Sequence, residues 1–198
     1  MKNILVLFAH PAFEKSRANK VLVNGLDSME GVTFHDLYQV YPDMGIDRLH
    51  EQQLLEQHDV IVFHHPFFWY SGPAILKQWQ DLVLVHGWAY GHEGNALKGK
   101  WFFNAITTGG PKAFYQIQGQ SNRFSIRQLL SPFEQTATMC NMRYCPPFVV
   151  HGTHSLNEND MTMYRQIYND YLMLFRDDKI DLTLLSKMDY LNEYPLSK

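Results

Sequence analysis

Apolar residues along the chain fall into two alternating kinds of run. The first kind is short and unbroken: residues 3–9 (NILVLFA), 60–65 (VIVFHH) and 100–108 (KWFFNAITT). Such a run has no polar face, which suits a strand buried on both sides in a parallel sheet. Residues 32–37 (VTFHDL) and 145–152 (CPPFVVHG) read as two further strands. The second kind is periodic. From Arg17 to Leu26 apolar residues at 18, 21, 22 and 26 follow a helical spacing, with Ser16 placed as N-cap. Helices are likewise expected over 50–58, over 73–84 opening at Pro73, over 126–140 with a kink at Pro132, and over 157–178.

Strands that alternate with helices imply βαβ units, right-handed crossovers and a parallel sheet covered on both sides. Five such units predict an α/β fold in the flavodoxin-like doubly wound order, a five-stranded parallel sheet with helices on both faces. Residues 1–178 read as one domain. The poorly periodic stretch 179–198 reads as a C-terminal arm lying on this subunit or on a partner.

Composition narrows the function classes. The chain of 198 residues is 45% apolar and 19% charged, as expected of a soluble globular protein able to bury a core without disulfides or metal. A formal net charge of -3 gives no general pull toward nucleic acid, which is not an expected partner. Cys140 and Cys145 do not form a Cys-x-x-Cys motif; they read as buried thiols, and so small a count fits a reducing, cytoplasmic setting, although it also admits one bridge. The first apolar run is too short for a signal-peptide core, and no apolar stretch reaches the ~20 residues of a membrane span. His64-His65 and His151-x-x-His154 come with no Cys or carboxylate set at ligand spacing, so structural or solvated roles are expected and no metal.

Candidate chemistry gathers in three loops that follow strands. In an open α/β sheet ligands bind at the carboxyl ends of the strands. After the first strand, FAHPAFEKSRAN (8–19) leads into a helix whose N-terminus offers free N–H groups, with Ser16 supplying a hydroxyl, Arg17 a cation and Asn19 an amide. The loop has neither a Gly-x-Gly-x-x-Gly fingerprint nor a P-loop, so a single phosphate fits better than a dinucleotide; a plain Ser16 cap fits the same residues equally well. After the third strand, HPFFWYSGPAILK (65–77) carries four successive aromatics, Phe67 to Tyr70. Such a loop folds into a core or covers a flat ligand. After the fourth strand, TTGGPKAFYQIQG (107–119) places Gly109 and Gly110 where backbone amides can approach a ligand.

The segments AHP and SRAN, HPFFWYSGPAILKQW, HGWAYG, ITTGG and CPPF together closely resemble the flavodoxin-like NAD(P)H:quinone oxidoreductases, over residues 3 to 175. Within them the chain is most similar to ancillary subunits of glutathione-gated bacterial potassium-efflux systems. The resemblance implies bound FMN, with FAD also compatible, NADH or NADPH as donor, two-electron reduction of a quinone, and a homodimer. It further implies docking on a potassium-efflux antiporter, hence a cytoplasmic protein peripheral to the inner face of the cell membrane. Carried over position by position, it puts His10, Ser16, Arg17, Ala18 and Asn19 on the phosphate side. Phe67, Phe68, Trp69, Tyr70, Thr107, Thr108, Gly109 and Gly110 fall on the ring side. Tyr115 occupies the place of a site-lining tyrosine and is the catalytic candidate, but the histidine found shortly beyond it in mammalian-type members is missing from QIQGQSNR (116–123). Phe68 stands where relatives often carry glutamine. HGWAYGHEG (86–94) reads either as a surface loop or, through the resemblance, as a dimer-facing wall of the substrate site. One ring-side pocket shared by donor and quinone implies ping-pong turnover; a regulatory flavin-binding subunit with little turnover, or a stand-alone quinone reductase, fits the same residues.

Overall fold

The computed structural model describes residues 1–116 and 122–196. Four strands form the body of the sheet: β1 (Ile4–Phe8), β2 (Val32–Asp36), β3 (Val60–Pro66) and β4 (Trp101–Thr107). They pair in parallel in the order β2-β1-β3-β4, with Ile4 of β1 opposite Val32 on one side and Val60 on the other. The fifth position is shared by β5 (Arg143–Tyr144), beside the start of β4, and β6 (Phe148–Val150), beside its end. The single strand expected over 145–152 is therefore broken. Cys145 still donates its N–H to the Phe102 carbonyl at 2.8 Å, but Pro146 and Pro147 have no N–H with which to continue the ladder.

Helices flank the sheet as the periodicity predicts: α1 (Arg17–Leu22), α3 (Arg48–Gln57), α4 (Ala74–Val83) and α7 (Glu158–Arg176). The helix expected over 17–26 stops at Leu22, because Gly25 turns the chain at φ 89 into a tight 3-10 turn over Leu26–Ser28. The one expected over 126–140 divides into α5 (Ile126–Leu129) and α6 (Ser131–Met139), with Pro132 in the first turn of α6, where its missing N–H costs nothing. The short α2 (Leu37–Val40) has no counterpart in the sequence pattern; Asp36 ends β2 and accepts the N–H groups of Tyr38 and Gln39.

Alternate strand residues enter opposite cores. Leu5, Leu7, Ile61, Phe63 and Phe102 pack with Leu55, Trp79 and Phe133 of α3, α4 and α6. Ile4, Val6, Val60, Val62 and Phe103 pack with Leu22 of α1 and with Tyr168, Leu172 and Phe175 of α7. The residues after α7 return over this second core through α8 (Leu182–Leu185), burying Leu185, Leu191 and Tyr194. Asn192 then closes the free edge of β6, accepting the Val149 N–H at 2.8 Å and donating to its carbonyl at 3.1 Å. The tail thus lies on its own subunit and blunts an open sheet edge. Among the described residues no helix is long and apolar enough to cross a membrane.

Candidate functional site

The carboxyl ends of β1, β3, β4 and β6 open into a cleft of about 520 Å³. His10, Ser16, Arg17, Ala18, Asn19, Phe67, Phe68, Thr107 and Gly109 line it, so most of the sequence-predicted residues are brought together. A second cleft of about 500 Å³ lies between α4 and α6, lined by Leu76, Tyr90, Phe133 and Met139 among others, and holds none of them. Tyr90 is what the 86–94 segment contributes there, on a turn where its ring meets His86 edge-on at 5.5 Å.

At one end of the first cleft the polar groups brace one another. Ser16 caps α1, its Oγ accepting the Asn19 N–H at 3.2 Å and the Asn19 Nδ2–H at 3.0 Å. The same Nδ2 donates to Thr107 Oγ1 at 3.2 Å, and Asn19 Oδ1 lies 3.1 Å from His64 Nε2. Both amide hydrogens of Asn19 are thereby used inside the fold. Its side chain, the amide expected at this end, holds Ser16 and Thr107 in place. Arg17 is exposed and tied to the Leu156 carbonyl on the loop before α7. His10 is 8% exposed, and its Nδ1 accepts the Ala12 N–H at 3.2 Å, which leaves the neutral ring's proton on Nε2. Burial lowers its pKa, opposed by the nearby Glu14 carboxylate.

The other end is aromatic and partly open. Phe67 is 8% exposed and donates its N–H to the Thr107 carbonyl at 2.8 Å, and its ring stands edge-on to Tyr115 at 6.0 Å. Phe68 packs edge-on to His10 at 5.8 Å. Trp69 and Tyr70 depart from the sequence expectation: neither lines the cleft, and Trp69 is 93% exposed. Both have left-handed backbone, at φ 49 and φ 66; the Tyr70 ring stays edge-on to Phe67 at 6.4 Å. Thr108, Gly110 and Tyr115 sit behind the wall. Thr108 Oγ1 donates to the Gly110 carbonyl at 2.8 Å and lies 3.2 Å from His151 Nδ1. Tyr115 is buried against His151 at 5.8 Å between ring centres, and burial raises its pKa. Burial takes His151 down to about 4, helped by Lys112. In the stretch beyond Tyr115, positions 117–121 lie outside the described residues.

Sequence reasoning did not single out Lys15 and Thr153 and expected only a structural or solvated role for His154; all three also line the cleft. The signals were present: Lys15 precedes the Ser16 cap, and residues 153–154 follow the last strand at its carboxyl end. His154 lies close over Gly109, where a Cβ would stand 2.8 Å from its Nε2, so a side chain there would push the exposed imidazole aside. Lys15 and Arg17 supply positive charge, and among the described residues no Asp or Glu lines the cleft. An anion carried on a flat apolar body matches this lining at both ends.

A family model described as flavodoxin-like fold matches residues 2–172. The chain is 47% identical over 169 residues to the glutathione-regulated potassium-efflux system ancillary protein KefG of Pectobacterium carotovorum, covering 85% of this chain and 92% of that protein. It superposes on the general stress protein 14 of Treponema denticola, solved in complex with FMN, at a TM-score of 0.79 and 38% identity, covering 88% of this chain and 98% of that one. A P. pentosaceus protein described as an NADPH-quinone reductase matches at a TM-score of 0.78 and 31% identity, covering 85% and 96%.

Proposed function

This chain belongs to the flavodoxin-like family whose model it matches, and on that premise we propose that it is an FMN-dependent NAD(P)H:quinone oxidoreductase. The same reading makes it a cytoplasmic homodimer that serves as ancillary subunit to a glutathione-gated potassium-efflux antiporter, docking at the inner face of the membrane. The observation that carries it is the cleft, cationic and hydroxyl-lined at the α1 end, aromatic at the other, and free of carboxylates among the described residues. The FMN complex of the Treponema relative and the names of the KefG and quinone-reductase relatives support it.

The lining fits the cofactor. Lys15, Ser16 and Arg17, with the backbone at the start of α1, would hold the phosphate, and His10 Nε2–H is a further donor beside them. Phe67 and Phe68 would flank the ring, with Thr107 and Gly109 along its polar edge. When bound, FMN supplies two-electron transfer between a nicotinamide and a quinone. The chain's own part is to bind, orient and keep water from the reacting face. One open cleft admits donor and quinone in turn, which gives ping-pong kinetics. Tyr115, whose pKa burial raises, is the hydroxyl behind the ring side that would deliver a proton. Mass identification of the flavin released from purified protein tests this reading: FMN is expected, and protein that neither retains nor takes up FMN would overturn it.

A further inference from the structure

His64 does not line the cleft, yet it is joined through one residue to groups that do. It is 1% exposed, and its one polar contact among the described residues is to Asn19 Oδ1 at 3.1 Å. Asn19, 2% exposed, connects it to two hydroxyls that line the cleft, Ser16 Oγ at 3.0 Å and Thr107 Oγ1 at 3.2 Å.

We propose that His64 is a positioning residue: its Nε2–H fixes the Asn19 carboxamide so that the Ser16 and Thr107 hydroxyls point their protons into the cleft, selecting a fully ionised phosphate. This deepens the FMN reading above and rests on it.

Two arrangements satisfy all three contacts. In the first, His64 Nε2–H donates to Asn19 Oδ1, the two amide hydrogens go to Ser16 and Thr107, and both hydroxyls accept. Their own protons are then free for a ligand. In the second, the carboxamide is flipped, both hydroxyls donate inward to its oxygen, and His64 accepts at Nε2 with its proton on Nδ1. The cleft then sees only lone pairs. The surroundings of Nδ1 distinguish the two, because that atom is buried with no hydrogen-bond partner. A bare ring nitrogen there costs less than an orphaned N–H. The neighbouring Tyr168 hydroxyl, on a ring 5.3 Å away and edge-on, is also buried and without a partner among the described residues, so nothing described there accepts a proton from Nδ1. His64 stays neutral, since burial lowers its pKa to about 3, so only one ring nitrogen carries a proton.

The first arrangement therefore holds, and the α1 end of the cleft is a set of donors. A phosphate dianion, which only accepts, fits it; a ligand with a hydroxyl at the phosphate position can accept only weaker, uncharged hydrogen bonds from the same donors.

The test compares FMN with riboflavin, which lacks the phosphate, by quenching of flavin fluorescence. His64→Leu should weaken FMN roughly 10- to 100-fold, the scale of one or two charge-assisted hydrogen bonds, and leave riboflavin within about twofold. His64→Gln keeps an amide donor for Asn19 Oδ1 and should restore most of the loss. Equal losses for FMN and riboflavin, or a Gln variant as poor as the Leu variant, would overturn the proposal. Imidazole 15N shifts of the wild-type protein give an answer that needs no variant: a protonated Nε2 on His64 is expected, and a protonated Nδ1 would overturn it. Wild-type protein that binds FMN no more tightly than riboflavin would sink the phosphate reading itself. A wild type that prefers FMN, with that preference intact in His64→Leu, would sink only the role of His64.

Discussion

The two ends of the cleft are built in opposite ways. At the α1 end Ser16, Asn19, Thr107 and His64 tie three elements together, and Asn19 and His64 are almost wholly buried. At the aromatic end the chain buries Phe67 and then turns outward, leaving Trp69 93% exposed and Phe68 and Tyr70 about half exposed. Trp69 and Tyr70 also hold left-handed backbone, a conformation that costs bulky residues of order 1–3 kcal/mol each. One end is finished by the chain alone. The other keeps apolar surface and backbone strain where contact with a second molecule would offset both. Ligand affinity should therefore be governed at the first end and assembly at the second.

Substitutions can break or sharpen that contrast. Asn19→Leu should do the most damage, because it strips partners from Ser16, Thr107 and His64 at once. Leaving such groups unsatisfied costs about 1–3 kcal/mol each, so urea unfolding should show a loss of roughly 2–5 kcal/mol. A loss below about 1 kcal/mol would mean that this end is not braced.

Acid should come next. Burial lowers His64 to about 3 and His65 to about 4, both on β3 beside the braced end. Folded values below the unfolded value near 6.5 mean that the unfolded chain binds more protons. The stability these residues contribute is therefore complete above about pH 6.5 and is lost as pH falls from there toward 3–4. Unfolding free energies measured across that window should lose one histidine's share of the slope in His64→Gln; an unchanged profile would contradict the assignment.

Ser16→Ala should weaken FMN by about 0.5–2 kcal/mol and leave riboflavin unaffected, as read by fluorescence titration. Equal weakening of both would place the phosphate elsewhere. The smallest effect on stability belongs to Trp69→Ser, below about 0.5 kcal/mol at so exposed a position. Light scattering should nonetheless show weaker self-association. A large loss of stability, with association unchanged, would reverse the contrast between the two ends.

Much of the fold was legible because parallel strands buried on both faces leave unbroken apolar runs, as β1, β3 and β4 do. The Ser16 cap was legible because the bond it makes is local, three residues long. The break in the fifth strand was readable from Pro146-Pro147, yet the apolar character of CPPFVV outweighed the missing donors. The brace was not legible: His64 and Asn19 are 45 positions apart, and only the sheet register brings β3 and α1 together. Aromatic content at 67–70 announced a surface without its direction. Trp69 and Tyr70 hold left-handed backbone there, and no composition rule anticipates two such residues without glycine.

On the function proposed above, this cleft holds a flavin that takes electrons from a nicotinamide and gives them to a quinone in separate steps. Stopped-flow absorbance on the FMN-loaded protein separates those steps. NADH or NADPH should bleach the flavin with no quinone present, and a quinone added afterwards should restore the colour. Reduction that requires quinone to bind first would contradict the shared cleft, and no bleaching by either nucleotide would contradict the reductase itself.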